Sequence, residues 1–396
     1  MTTISFVRSL ASPWRKELVI LYVVALLAGT AVGLYNPVIS IRMKELGFSD
    51  TVIGAASSLF FLGVILVAPM AGYVARRRSL RSVLAIGLML AGIGSTLFPM
   101  AQSLVHWILF RTILAAGIGF YLIGGQSAVH TFSPEENRSM VSGLYALFFG
   151  VGMGVGPLGG AALLSIGPRW AFYGCALLLW IGIPMVMFCL PSEPSKKLIP
   201  LERSWISKIG VPLHAVFSYG VAESILMSLF PVAMLERGLT VNEMGFAFSI
   251  FVFGGLLSTL PVTRLADKYG QERALAACAV LGAIGSLFMA WSSSVTTTML
   301  ASILTGAALG PVFALALAIV GRCLPAERLP AGSAFFTVAF SIGSMIAPFC
   351  AALIIKQWGA KHLFTLSSFL FVSLLIRIVF QYFRSTSLLG WASKNN

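Results

Sequence analysis

The sequence predicts an all-α membrane protein of twelve transmembrane helices in two six-helix repeats. Three observations carry this. The chain is 58% hydrophobic and only 10% charged, whereas soluble domains run near a quarter charged. Apolar runs of about 18 residues or more recur along its whole length, each long enough to cross a bilayer. Finally, Gly47, Gly54, Gly152 and Pro157 recur 191 residues later as Gly238, Gly245, Gly343 and Pro348, and Pro134 and Glu136 recur as Pro325 and Glu327. Six echoes in register indicate an internal duplication, and parallel repeats about an axis normal to the bilayer are one way to build a transporter.

The first half, 1–190, contains spans at 17–38, 52–74, 83–100, 104–129, 140–164 and 170–190. A polar linker, 191–208, carries Lys196, Lys197, Arg203 and Lys208. The second half, 209–396, contains spans at 211–235, 244–262, 274–291, 298–320, 331–355 and 363–383. The net charge of +14 follows the spans: with the N-terminus inside, twenty of the 27 Lys and Arg fall on the inner side (counting Arg377, toward the inner end of the last span), six in outer loops, and Arg111 alone deep within a span. That is the positive-inside bias, which explains the charge without nucleic acid. It places both termini and the linker in the cytoplasm, with the chain in the cell (cytoplasmic or inner) membrane. The long apolar run after Arg8, Arg15 and Lys16 reads as an uncleaved first span, not a signal peptide. The five cysteines lack metal-ligand spacing and read as packed thiols.

Two basic stretches, 69–81 (PMAGYVARRRSLR) and 261–273 (PVTRLADKYGQER), read as short loops between the second and third spans of each half. Together with the repeat, they resemble the major facilitator superfamily over essentially the whole chain. That family carries Gly-x-x-x-Asp-(Arg/Lys)-x-Gly-(Arg/Lys)-(Arg/Lys) in this loop. The second copy keeps Asp267, Lys268, Gly270 and Arg273, with Thr263 at the first Gly; the first keeps Gly72, Arg77 and Arg81, with Arg76 at the Asp and Ser79 at the second Gly. The resemblance implies a latch that steadies the outward-facing state, with its acid present only in the second half.

Two further patterns are similar to the family's proton antiporters. In the fourth span Arg111 precedes a small-residue run through Gly117 and Gly119, with Leu114 where the family pattern has Gln. In the fifth, Gly152, Gly156, Pro157, Gly159 and Gly160 resemble the signature of drug exporters, with a Gly-Pro tail one residue shorter. Small residues mark close helix contacts in lipid and proline bends a helix, so this span is expected to be a kinked surface on which the halves rock.

Glu223 is the one acid in the interior of a span, about twelve residues and so about 18 Å along the seventh helix. A carboxyl at that depth is protonated, paired or facing water, and marks a functional site by default. Proton coupling, an anchor for a cation, or a structural ion pair are the roles open to it. Arg111, the other deep charge, is open to pairing with Glu223, with a substrate anion or with backbone carbonyls. In the family the first, fourth, seventh and tenth helices line the cavity, which implies a lining of Tyr35, Asn36, Tyr121, Gln126 and Tyr219. Phe60, Phe61, Phe148, Phe149, Phe335 and Phe336 are candidates for an apolar wall.

No phosphate-binding loop, metal-ligand constellation or nucleophile with a base partner is evident. The expectation is therefore not an enzyme but a monomeric secondary transporter in the lipid bilayer, without cofactor or nucleic acid. It would export a small amphipathic or cationic molecule against a proton gradient by alternating access. A carrier of a metabolite, sugar or siderophore, a lipid flippase and a non-transporting sensor remain the alternatives.

Overall fold

A computed structural model describes residues 12–133, 138–192, 203–325 and 329–392. Among these the chain is helical throughout, with no strand. Eleven helices are long and apolar enough to cross a membrane, and a bent pair supplies the twelfth. Pro134, Glu136, Glu327 and most of the linker lie outside the described residues.

Helix starts follow local chemistry. The side chains of Ser49, Ser79, Ser103 and Ser294 accept backbone N–H bonds at the second, third, fourth and tenth spans, satisfying donors that have no partner within the helix. At the far ends, Gly47 and Gly238 both adopt positive φ, 82° and 88°, a region that glycine enters without a Cβ penalty. They are repeat equivalents, and the bonds around them match: Phe48 N–H to Met43 O, and Leu239 N–H to Met234 O.

Two expectations are corrected. The stretch 69–81 is not mainly a loop, because the second span runs Asp50–Arg77 through Pro69 and leaves only Arg78 and Ser79 to turn. Its echo behaves alike: Val241–Tyr269 is one helix through Pro261, and Gly270 at φ 101° makes the turn. The seventh span is also not one helix. It is Gly210–Ser228 and Phe230–Glu236, bent by 50° at Leu229. Pro231 lacks the N–H that would bond the carbonyl four residues back, which breaks the ladder at this point.

The chain separates into two compact units, Met1–Lys197 with Met227–Val252, and Leu198–Leu226 with Phe253–Asn396. In the first unit, the first span, Lys16–Glu45, lies against the fifth, Arg138–Ile166. A Cβ on Gly33 would stand 2.5 Å from the Met153 carbonyl oxygen, and Cβ atoms on Gly29, Gly152 and Gly156 would strike the backbones of Phe149, Leu26 and Thr30. Gly152 and Gly156 are thus used in packing within their own unit. The third and fourth spans interlock the same way, with a Cβ on Gly87 falling 2.5 Å from the Tyr121 nitrogen. Lys44 at the end of the first span bridges Asp50 at 2.8 Å and Glu236 at 2.6 Å, and Asn36 Nδ2 reaches Met227 Sδ at 3.7 Å.

The second unit repeats the device. A Cβ on Gly220 would stand 2.5 Å from the Phe340 carbonyl oxygen, and one on Gly343 would strike the Phe217 carbonyl. Gly220 and Gly343 are the echoes of Gly29 and Gly152. Ser224 Oγ donates to Ser344 O at 2.7 Å and Ser344 Oγ to Gly220 O at 3.2 Å, adding side-chain bonds across the same contact. Glu272, in the first turn of the ninth span, forms an ion pair with Arg322, in the last turn of the tenth.

This packing makes a controlled prediction on one helix. Nothing lies within 4 Å of a Cβ at Gly159. Gly152→Ala should therefore destabilise the purified protein by about 1–3 kcal/mol, the usual cost of overpacking. Gly159→Ala should be neutral or stabilising, since alanine favours helix by ~1 kcal/mol. Thermal unfolding in detergent would compare them, and equal midpoints for the two variants would contradict the close approach.

Candidate functional site

Glu223 lies in the second unit on Gly210–Ser228, six residues before the break at Leu229. Its side chain is half-buried. Tyr219, one turn earlier on the same face, donates its hydroxyl to Oε1 at 3.4 Å. Among the described residues of its own unit, no Lys or Arg forms an ion pair with it. Tyr219 in turn touches two rings, with centroids 5.8 Å from Phe313 and 6.2 Å from Phe340. Phe313 also meets Phe336 at 5.0 Å. The carboxyl therefore stands at the edge of an aromatic cluster with one long hydrogen bond. Such a group is free to gain and lose a proton, or to meet a cation, without dismantling a salt bridge.

Arg111 lies in the first unit on Leu104–Phe132 and is 3% exposed. Its Nη2 donates to Ser57 Oγ at 2.9 Å. Ser57 sends its own proton to the Ile53 carbonyl at 2.9 Å, which leaves its oxygen as the acceptor. The guanidinium also sits over the Phe60 ring at 5.7 Å, a cation–π contact that offsets part of the burial cost. Among the described residues of its own unit, no Asp or Glu neutralises it. Tyr35, 1% exposed, meets the same Phe60 ring at 6.0 Å.

The other expected lining residues divide. Asn36 is buried and bonded to the Val32 carbonyl at 3.1 Å as well as to Met227. Tyr121 is buried and accepts from the Tyr145 hydroxyl at 3.0 Å, whereas Gln126 is exposed. Within the first unit, Phe148 stacks on Tyr22, Phe149 on Tyr121, and Phe60 meets Phe61 edge-on. Ser57, Tyr145, Phe313 and Phe340 were not anticipated. They stand in spans rich in similar residues, and only the partner across the helix contact singles them out. Two clefts, of about 440 Å³ beside Arg15 and Lys16 and about 290 Å³ beside Tyr269 and Arg273, contain neither deep charge.

The motif residues sit at helix ends. Gly72 is half-buried on the second span, Arg77 lies over Tyr73, and Arg81 donates to the Met187 carbonyl at 3.2 Å. In the echo, Lys268 lies over Tyr269, and Asp267 and Arg273 are exposed. Asp267 makes no ion pair with a described residue of its unit.

Residues 21–211 and 213–393 match the Major Facilitator Superfamily model. The chain is 25% identical to the uncharacterized MFS-type transporter YfkF of Bacillus subtilis (strain 168), over 88% of this chain and 91% of that one. Among solved structures it is similar to a bacterial homolog of the human lysosomal transporter Spinster, in an inward-facing and occupied conformation. That match has a TM-score of 0.73 and 16% identity, covering 94% of this chain and 97% of the other. It is also similar to a mutant of the nucleoside transporter NupG, with a TM-score of 0.75, 12% identity and coverage of 92% and 99%. These two likenesses show the fold. With the matches spanning both repeats, the chain belongs to the major facilitator superfamily and is a multi-pass membrane transporter.

Proposed function

We propose that this transporter is a proton-coupled exporter of a small amphipathic or cationic molecule, working as a monomer in the cell membrane with both termini in the cytoplasm. The observation that carries the reading is Glu223, an acid in the interior of a span. It has a single tyrosine hydrogen bond and no cationic partner among the described residues of its unit. An unpaired carboxyl at that depth is functional by default. The break at Leu229 supports the placement, because discontinuous helices build substrate and ion sites in many transporters. The outward direction rests on the resemblance of the Gly152–Gly160 pattern to that of drug exporters.

The proton logic has a definite sign. An ionised Glu223 attracts a cation, and a protonated one does not. Protonation from the outer side therefore releases cargo outward, and loss of that proton to the cytoplasm restores the binding form. Each proton that enters replaces one positive charge that leaves, so exchange of a monovalent cation is electroneutral. No cofactor or ATP enters the cycle; the proton gradient is the energy source, and no chemical step is catalysed.

Everted membrane vesicles with an acid interior test this. A panel of lipophilic amines and other amphipathic molecules is added while a fluorescent probe reports the gradient. In wild type a cargo should dissipate the gradient; in Glu223→Gln it should not, while Glu223→Asp should retain part of the response. Equal responses from wild type and Glu223→Gln would overturn the coupling role. Cargo movement that ignores the gradient would favour a metabolite carrier.

A further inference from the structure

Arg111 presents a problem that the proton cycle does not solve. A guanidinium is permanently charged and carries five N–H donors, and burying it unpaired is strongly unfavourable. Here Nη2 has Ser57 as its acceptor, but Nε and Nη1 are buried without any hydrogen-bond partner among the described residues. Phe60 compensates one face only. Tyr35 meets the same Phe60 ring at 6.0 Å, which brings its buried hydroxyl, with the Asn36 side chain beside it, to this cluster. The first, second and fourth spans thus converge on a cluster rich in donors. Its described side-chain acceptors are neutral oxygens only, with no carboxylate, and Ser57 Oγ is already engaged.

A set of unsatisfied donors around a buried cation is complementary to an anion. Buried polar groups are almost always bonded, and donors that the protein leaves unmatched are met by water or an ion. The positive charge selects against a neutral ligand. We infer that Arg111 and Tyr35 form an anion-binding subsite in the first half, positioned by Ser57 and Phe60. It takes a monovalent anion, either a carboxylate carried by the cargo or an inorganic ion such as chloride. A carboxylate would narrow the cargo to amphipathic molecules bearing an acid group. The cluster is shut off from water in this structure, so the anion exchanges when this part of the unit opens. The inference rests on the surroundings of Arg111 alone and stands or falls independently of proton exchange at Glu223.

The test is anion-dependent stabilisation of the purified protein in nanodiscs of neutral lipid, which requires no transport. Thermal midpoints are followed by tryptophan fluorescence in a zwitterionic buffer titrated with sodium chloride, acetate or butyrate. Wild type should show a saturable rise. Arg111→Gln should show none, and without anion it should be at least as stable as wild type, because an unpaired buried charge has gone. Arg111→Lys should keep part of the rise. Tyr35→Phe, which removes one hydroxyl, should need about tenfold more anion for the same rise. A response to chloride alone identifies an inorganic ion as the ligand, and a response confined to acetate and butyrate identifies a carboxylate. The inference is overturned if no anion stabilises folded wild type, or if Arg111→Gln responds as wild type does. Should Arg111→Gln fail to fold, an unaltered anion dependence in Tyr35→Phe overturns it equally.

Discussion

In each unit, two helices approach so closely that only glycine fits between their backbones. Apolar helices in lipid gain little from hiding apolar surface, because the solvent is as apolar as they are. Their association depends on close packing instead, and a missing Cβ allows it. Gly29, Gly33, Gly152 and Gly156 hold the first span on the fifth, and Gly220 and Gly343 hold the seventh on the eleventh. The polar groups of the first and seventh spans follow these contacts closely in the chain. Tyr35 follows Gly33 by two residues, and Glu223 follows Gly220 by three.

Duplication produced the scaffold, and divergence placed the charges. Two of the packing glycines, Gly29 and Gly152, recur at the repeat offset as Gly220 and Gly343, while Gly33 and Gly156 correspond to Ser224 and Ala347; the positive-φ turns at Gly47 and Gly238 recur as well. The deep charges do not: at that offset Glu223 corresponds to Val32, and Arg111 to Ser302. One half therefore carries a lone interior cation and the other a lone interior acid. Neither charge is neutralised by an ion pair among the described residues of its own unit.

The parts legible in the sequence were those set by single-chain physics. Span lengths follow from apolar runs, and the repeat from residues in register. The packing role of Gly152 and Gly156 follows from their four-residue spacing, although their partner helix does not. The break at Leu229 had a signal in Pro231, but proline also occurs inside unbroken helices here, at Pro69, Pro157 and Pro261. Whether a proline bends or breaks a helix depends on neighbours that can satisfy the freed carbonyl. The residues 69–81 looked like a loop because three arginines follow one another, yet a helix can carry charge past the apolar zone before turning. Ser57 and Phe60 were invisible as partners of Arg111 because they lie over fifty residues away in sequence, and one serine in an apolar span looks like any other.

The central claim is that the carboxyl of Glu223 takes up and releases a proton from within the membrane span. Modification by a lipid-soluble carbodiimide tests it without knowledge of the cargo, because the reagent adds to protonated carboxyls in apolar surroundings. Purified protein in lipid is treated over a series of pH values, and the peptide holding Glu223 is followed by mass spectrometry. Proton exchange at Glu223 requires an adduct on that residue that increases as pH falls and is absent from Glu223→Gln. A Glu223 that stays unmodified at every pH in the folded protein would contradict the claim, and would assign the residue a fixed structural role.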